Sequence, residues 1–293
     1  HFFKDISEFN CVQLFDGADF SSKDIPIIGK TGIIMISQSG ETKDLHRCVN
    51  VAQDNDLYMI GVVNVVDSLI AREVHCGSYL NAGREVAVAS TKAFTSQSIL
   101  LSMMATWFAQ NREKHELKRV KIIKDLRKLH MDIKTTLETT ETQIQKILPL
   151  FDNQNHCFIL GKGKGESVAK EGALKIKEIS YIHAEGYSTS SLKHGPFALL
   201  EKDFPVILLG PEDEFYSKTM NAYEEIQSRH AKIIMITDDE KCNKENLIKI
   251  PLNETFRHLL CVIPLQLLAY ELSIRRNINP DMPRNLAKVV TVE

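Results

Sequence analysis

The sequence predicts an α/β fold built twice, with mainly parallel strands flanked by helices, and three observations carry that expectation. Gly32–Ile36, Pro205–Leu209 and Lys232–Thr237 are short, continuous apolar runs, the pattern of strands buried on both faces of a parallel sheet. Such runs alternate with amphipathic stretches of helical period, which argues for right-handed strand–helix–strand crossovers. The two halves also repeat one architecture: VILLG with its following helix matches GIIMI with its following helix.

In chain order, HFFKDISEF reads like the end of an amphipathic helix. Because the chain starts at His1 rather than Met, an upstream part of a longer polypeptide is expected. After a loop rich in Asp, Ser and Gly come the strand Gly32–Ile36, the turn Ser37-Gln38-Ser39-Gly40, and a helix from about Glu41 to Asp54. Leu57 to Val66 is the next strand and His75 to Leu80 a short one, with a helix beginning near Thr91. From Asn111 to Leu150 the chain is charged and free of glycine, with proline only at Pro149, and two connecting helices are expected. The second unit opens on the strand Cys157–Leu160, turns through GKGKG, and continues with a charged helix to about Ile182. Strands at 205–209, 232–237 and 247–250, a helix at 214–230 and a long apolar helix at 255–274 follow. The expected division is 1–130, 131–278 and a tail, 279–293.

Composition narrows the function. The 293 residues are 43% hydrophobic and 25% charged, with a net charge of −2, so neither nucleic acid nor an anionic membrane is an expected partner. No continuous apolar run reaches the ~18 residues of a membrane span. The six cysteines form no metal-type spacing, which suits reduced thiols in a cytoplasmic protein.

Glu171 to Pro196 holds the densest chemistry. On a helix, Glu171, Lys175 and Glu178 share one narrow stripe, while Ala173, Leu174, Ile176, Ile179 and Ile182 cover most of the remaining circumference. A carboxylate–ammonium–carboxylate line on a buried helix either pairs internally or does chemistry. The plain alternative is an i,i+3 and i,i+4 ladder on a solvated face. Ser37-Gln38-Ser39-Gly40-Glu41-Thr42 joins a strand to a helix, where free amides, the helix dipole and three hydroxyls suit a dianionic phosphate monoester. The plain alternative is a Ser N-cap with Thr in the first turn. Gly161-x-Gly163-x-Gly165 reads as a tight strand-to-helix turn, not a dinucleotide fingerprint. By type alone, Lys288 is a solvated tail lysine.

SQSGET, VASTKAF, EGALKIKEISYIHAE, LKHGP and PRNLAKVVTVE, in this order from Gly32 to Glu293, resemble the isomerase half of the glucosamine-6-phosphate synthase family, the isomerising glutamine–fructose-6-phosphate aminotransferases. The resemblance implies two sugar-isomerase (SIS) domains, each a five-stranded parallel sheet flanked by helices, the first incomplete at its N-terminus. It also implies an upstream glutaminase domain that is not in this chain. The implied substrates and products are fructose 6-phosphate, glucose 6-phosphate and glucosamine 6-phosphate, with no cofactor and no metal.

The resemblance assigns roles residue by residue. Ser37, Gln38, Ser39 and Thr42 would bind the phosphate, and Val88 and Ala287 would line the sugar site. Lys288 would form a Schiff base with the ketone, and Glu178 would carry the proton between C1 and C2. Glu171 and Lys175 would complete the wall around it. His194, supplied across a homodimer by the neighbouring subunit, would open the ring. Three departures from the family pattern stand out: Ser190-Ser191 in place of Gly-Glu, Arg84 in place of a small or neutral residue, and Ala87 in place of glycine. The family's Gly-Thr-Ser turn is expected upstream of His1. Rival readings are another SIS sugar-phosphate isomerase or deglycase, and a regulatory SIS module that binds a hexosamine phosphate.

Overall fold

The computed structural model describes residues 1–288; the last five residues of the tail, 289–293, lie outside the described residues. The chain divides into two compact units, His1–Glu116 with the tail from Arg284, and Leu117–Pro283.

The first unit runs α1 (Phe2–Ile6), β1 (Gly32–Ser37), α2 (Lys43–Asp54), β2 (Tyr58–Val63), α3 (Leu69–Glu73), β3 (Cys76–Tyr79) and α4 (Lys92–Asn111). Its described strands form a parallel sheet in the order β1-β2-β3, three strands where the family resemblance implied five. Met35 of β1, Met59 and Val63 of β2, Ile70 of α3 and Phe20 enclose one core with Cys48, Val49 and Ala52 of α2. Those α2 positions, spaced one and three apart, make the inner stripe of an amphipathic helix. The rings of Phe3, Phe9 and Phe108 pack α1 onto α4 at centroid distances of 5.3–6.3 Å.

The second unit opens with α5 (Glu116–Ile147), a single 32-residue helix where the sequence reading expected two connecting ones. Its buried positions include Thr136 and Thr140 beside Ile122, Leu129 and Ile144, while Ile123 and Met131 face solvent. Thr136 donates its hydroxyl to the Asp132 carbonyl, so a polar residue fills the inner face and the apolar period looks broken in sequence. Then come β4 (His156–Gly161), α6 (Lys164–Ser180), β5 (His183–Ser188), β6 (Pro205–Leu209), α7 (Tyr216–Gln227), β7 (Lys232–Thr237), β8 (Leu247–Lys249), α8 (Arg257–Leu260) and α9 (Val262–Arg275). All five strands are parallel, in the order β5-β4-β6-β7-β8.

Both faces of that sheet are covered, which is why its strands read as unbroken apolar runs. Phe158, Leu160, Val206, Leu208, Ile233 and Met235 pack with Tyr223 and Ile226 of α7 on one face. On the other, α6 packs on β4, β5 and α9. Burying an isoleucine such as Ile176, fully enclosed here, is worth about 1.5–3 kcal/mol. Arg257–Arg275 is long and apolar enough by composition to cross a membrane, yet most of it is buried, with Leu265, Leu268 and Leu272 in the interior.

β5 was not foreseen. His183-Ala-Glu-Gly-Tyr-Ser lacks an apolar run because β5 is the edge strand and only Ala184 of its six residues is buried. The GKGKG turn is as tight as its glycines suggest: a Cβ on Gly161 would lie 2.2 Å from the Gly165 carbonyl.

Candidate active site

In the first unit, the turn after β1 folds on itself. Ser37 Oγ accepts the Gly40 N–H at 2.9 Å and lies 3.1 Å from Thr42 Oγ1. Ser39 Oγ accepts the Glu41 N–H at 3.2 Å. Thr42 is the N-cap residue of α2, but its side chain makes no capping bond, so its hydroxyl faces the turn. Gly40 has φ +70°, and a Cβ there would strike the Ser68 hydroxyl, so the turn takes this shape only with glycine. Asn64, just past β2, braces the neighbouring loop: its N–H donates to the Gln38 carbonyl, its Nδ2 to the Gly83 carbonyl at 2.8 Å, and its Oδ1 accepts the Ala82 N–H at 3.0 Å.

A cavity of about 310 Å³ opens at this turn, lined by Gln38, Ser39, Asn64, Val65, Gly83, Arg84, Glu85 and Lys288. Lys288 is thus not a free tail lysine: its side chain is 25% exposed and its Nζ lies 3.0 Å from Glu85 Oε2. Glu85 is buried, and its Oε1 accepts the Thr91 N–H at 2.8 Å and the Ala93 N–H at 3.4 Å. Burial works against its ionisation, but the Thr91 N–H, the Lys288 ammonium and the Ala93 N–H together hold its carboxyl below the usual value. A larger hollow of about 490 Å³ is lined by Val120, Ile123, Lys124, Arg127 and Lys128, all on α5; it carries no hydroxyl, carboxylate or imidazole.

In the second unit, α6 is buried except for a strip at Ser167, Lys170, Leu174 and Lys177. Leu174 therefore lies outside the apolar wrap expected from sequence. The ladder forms, and it is buried rather than solvated. Lys175 Nζ lies 2.6 Å from Glu178 Oε2 and 3.7 Å from Glu171 Oε1, with side-chain exposures of 5%, 21% and 13% for Lys175, Glu178 and Glu171. The Lys175–Glu178 contact is an ion pair without hydrogen-bond alignment, so Glu178 Oε2 has no hydrogen-bond donor. Burial pushes the Glu171 carboxyl up to about 7; Glu178 adds to the rise and Lys175 opposes it.

Ser37, Gln38, Ser39, Thr42 and Lys288 fall in the first unit, and Glu171, Lys175 and Glu178 share one face of α6. His194 closes a 3₁₀ turn, Thr189–His194, and is exposed. Val88 is half-buried and Ala287 exposed. Lys162 donates to the Ser190 hydroxyl, so one of the two departing serines is engaged by the turn after β4. Sequence reasoning missed Glu85 and Asn64. Their signals were an acid six residues ahead of a helix N-cap and an asparagine at a strand's carboxyl end.

Two parallel sheets wrapped in helices, one carrying a hydroxyl-rich strand-to-helix turn, define the class: the SIS-domain model matches residues 3–107 and 150–276. Within that class the chain is 50% identical over 285 residues to a protein of Acanthamoeba polyphaga mimivirus named "probable glutamine–fructose-6-phosphate aminotransferase [isomerizing]". That match covers 96% of this chain and 46% of the relative. It is 39% identical over 281 residues to the rat glutamine–fructose-6-phosphate aminotransferase 1, covering 94% of this chain and 41% of that one. The C-terminal domain of glucosamine-fructose-6-phosphate aminotransferase from Francisella tularensis superposes with a TM-score of 0.86 at 30% identity, over 96% of this chain and 81% of that one. The chain belongs to the isomerising glutamine–fructose-6-phosphate aminotransferase family and aligns with its C-terminal SIS part. It spans about half the length of the curated relatives it matches.

Proposed function

We propose that this chain is the isomerase part of a glutamine–fructose-6-phosphate aminotransferase, turning fructose 6-phosphate into glucosamine 6-phosphate with ammonia from a glutaminase domain outside the chain. The observation that supports it best is Lys288: an amine on an irregular tail lines the same cavity as Gln38 and Ser39 of the hydroxyl-rich turn. In this reading Ser37, Gln38, Ser39 and Thr42 hold the phosphate through hydroxyls and the α2 N-terminus. Val88 and Ala287 flank the sugar. Lys288 condenses with the C2 ketone, losing water and leaving a protonated imine that acidifies the C1 proton; ammonia adds to C2 and releases the lysine, so that the product carries ammonia's nitrogen. Glu178, whose carboxylate pairs with Lys175, moves that proton between C1 and C2, and Lys175 and Glu171 complete the polar wall around it. His194, contributed by the neighbouring subunit of a homodimer, opens the ring. Closure of the tail 279–293 over bound sugar, which would keep water from the imine, belongs to the same proposal, and its last five residues lie outside the described residues. A cytoplasmic location goes with this reading.

The experiment is reduction of the imine. Borohydride with fructose 6-phosphate should add one reduced sugar phosphate to the tail peptide holding Lys288, and none in Lys288→Arg, which keeps the charge and still binds the sugar. An adduct on another lysine, or isomerisation by Lys288→Arg, would overturn the reading. A regulatory binder, the rival from a different class, would yield no adduct at all.

A further inference from the structure

We propose that Glu85 is the counter-ion of Lys288: a positioning residue that holds the amine in the cavity and stays paired with its nitrogen after condensation. The inference rests on the imine reading above and deepens it.

Glu85 has little freedom. It is 8% exposed, and one carboxylate oxygen is committed to the backbone at the start of α4, accepting the Thr91 and Ala93 N–H groups. The positive end of the α4 dipole lies on the same side and favours the charged form. With Oε1 fixed, Oε2 has a single direction left, and its donor is Lys288 Nζ at 3.0 Å. The other cations nearby are engaged elsewhere or lie outside ion-pair range. Lys92 donates to the Arg84 carbonyl at 2.8 Å, and the exposed Arg84 side chain lines the same cavity without an ion pair among the described residues. A buried carboxylate whose one free oxygen meets one ammonium is an anchor for that ammonium.

The chemistry suits an anion that stays an anion. The carboxyl is held below its ordinary value, so it is a weak base at neutral pH and a poor acceptor for the lysine's proton. The proton that the amine sheds before it attacks therefore goes to water. Overall, R–NH₃⁺ and O=C give R–NH⁺=C and water: the amine sheds a proton and attacks C2 with its lone pair, a proton returns as the ketone oxygen leaves as water, and the nitrogen is a cation before the first step and after the last. A fixed carboxylate 3.0 Å away therefore faces a cation before and after the step. Kept protonated, the imine draws electron density from C1 and eases loss of its proton; a neutral imine would not.

The test compares borohydride trapping and isomerisation across pH in the wild type, Glu85→Gln and Glu85→Asp. Gln keeps an amide oxygen for the Thr91 and Ala93 N–H groups and removes the charge. The expected results for Gln are a kcat at least ten-fold lower and a trapping profile moved to lower pH by about one unit, because amine and imine both lose the anion that favours their protonated forms. The affinity for fructose 6-phosphate should stay within about two-fold, because the hydroxyl turn is untouched. Asp keeps the charge at a shorter reach, so its yield should fall while its pH profile stays at the wild-type position. A Gln profile that does not move, whatever the melting temperature, would reduce Glu85 to a cap on α4 and overturn the inference. So would an Asp profile that shifts as Gln's does. A wild-type adduct found away from Lys288 overturns the imine reading and this inference together, whereas an adduct on Lys288 indifferent to Glu85→Gln overturns this inference alone.

Discussion

Lys175 holds its ammonium 2.6 Å from Glu178 Oε2, and that oxygen nonetheless lacks an aligned hydrogen bond. The ammonium lies between the two carboxylates of α6 and fixes the position of Glu178, the group proposed above to carry the proton. Glu178→Gln should retain the fold and bind fructose 6-phosphate, while lowering isomerisation kcat by at least ~10², the low end of general acid–base contributions. Solvent exchange at C1 of the bound sugar phosphate, followed by NMR, should stop. Normal turnover in this variant would leave the ladder with a structural role only.

The partner carboxylate predicts a pH dependence of stability. Glu171 has its pKa raised from the ordinary carboxylate value to about 7 by burial, so the folded chain binds its proton more tightly than the unfolded chain does. Where the folded state holds more protons, stability falls as pH rises. This group's contribution is therefore fully present below about pH 4.5 and is lost as pH rises to about 7. Glu171→Gln should remove that slope, a difference of roughly 1–3 kcal/mol across the window. Urea unfolding at several pH values measures it; parallel curves for the two proteins would contradict the raised pKa.

How much of this was legible in sequence follows from what each element buries. β6 and β7 are covered on both faces, so PVILL and KIIMIT announced themselves and their bounds were read closely. β5 at the sheet edge and α5 with its buried threonines carried weak patterns, and one was missed while the other was split in two. The α6 stripe was readable because spacing on one helix fixes which side chains meet. Glu85 was not, because its meaning comes from Lys288, 203 positions away, and from two amides at the start of α4. Composition and period are blind to contacts of that range.

The turn after β1 predicts a phosphate-specific defect. Ser39 lines the cavity, and Thr42 points its hydroxyl into the turn instead of capping α2. Ser39→Ala should weaken fructose 6-phosphate binding by roughly 1–3 kcal/mol, the scale of a lost hydrogen bond to a charged group. Unphosphorylated fructose should bind as before. Equal losses for both sugars, measured by calorimetry, would place the turn's role elsewhere.

The last prediction concerns stability in the second unit. Past the carboxyl ends of β6 and β7, Asp238 is enclosed with no side-chain exposure, and Arg257 Nε lies 3.5 Å from its Oδ2. Asp238 Oδ1 accepts the Glu212 N–H at 2.6 Å, and the Arg257 guanidinium donates to the Glu212 carbonyl. The ion pair thus ties α8 to the end of β7, and both of its members hold the backbone of Glu212 in the loop after β6. Next to it His258 Nε2 lies 3.0 Å from Asp213 Oδ2, and the Phe215 N–H donates to Asp213 Oδ1 at 2.8 Å. Arg257→Met would fill much of the same volume and leave the Asp238 charge buried without its cation. Removing one partner of a buried pair costs about 3–5 kcal/mol, because the remaining charge stays in a poorly solvated place. The double change Arg257→Met with Asp238→Asn removes both charges and should recover a large part of that loss, since a buried pair is worth little net against a neutral replacement. Denaturant midpoints for the single and double variants give the coupling directly. Strict additivity of the two changes would mean that Arg257 and Asp238 do not sense each other, and that the loop after β6 is held by its backbone bonds alone.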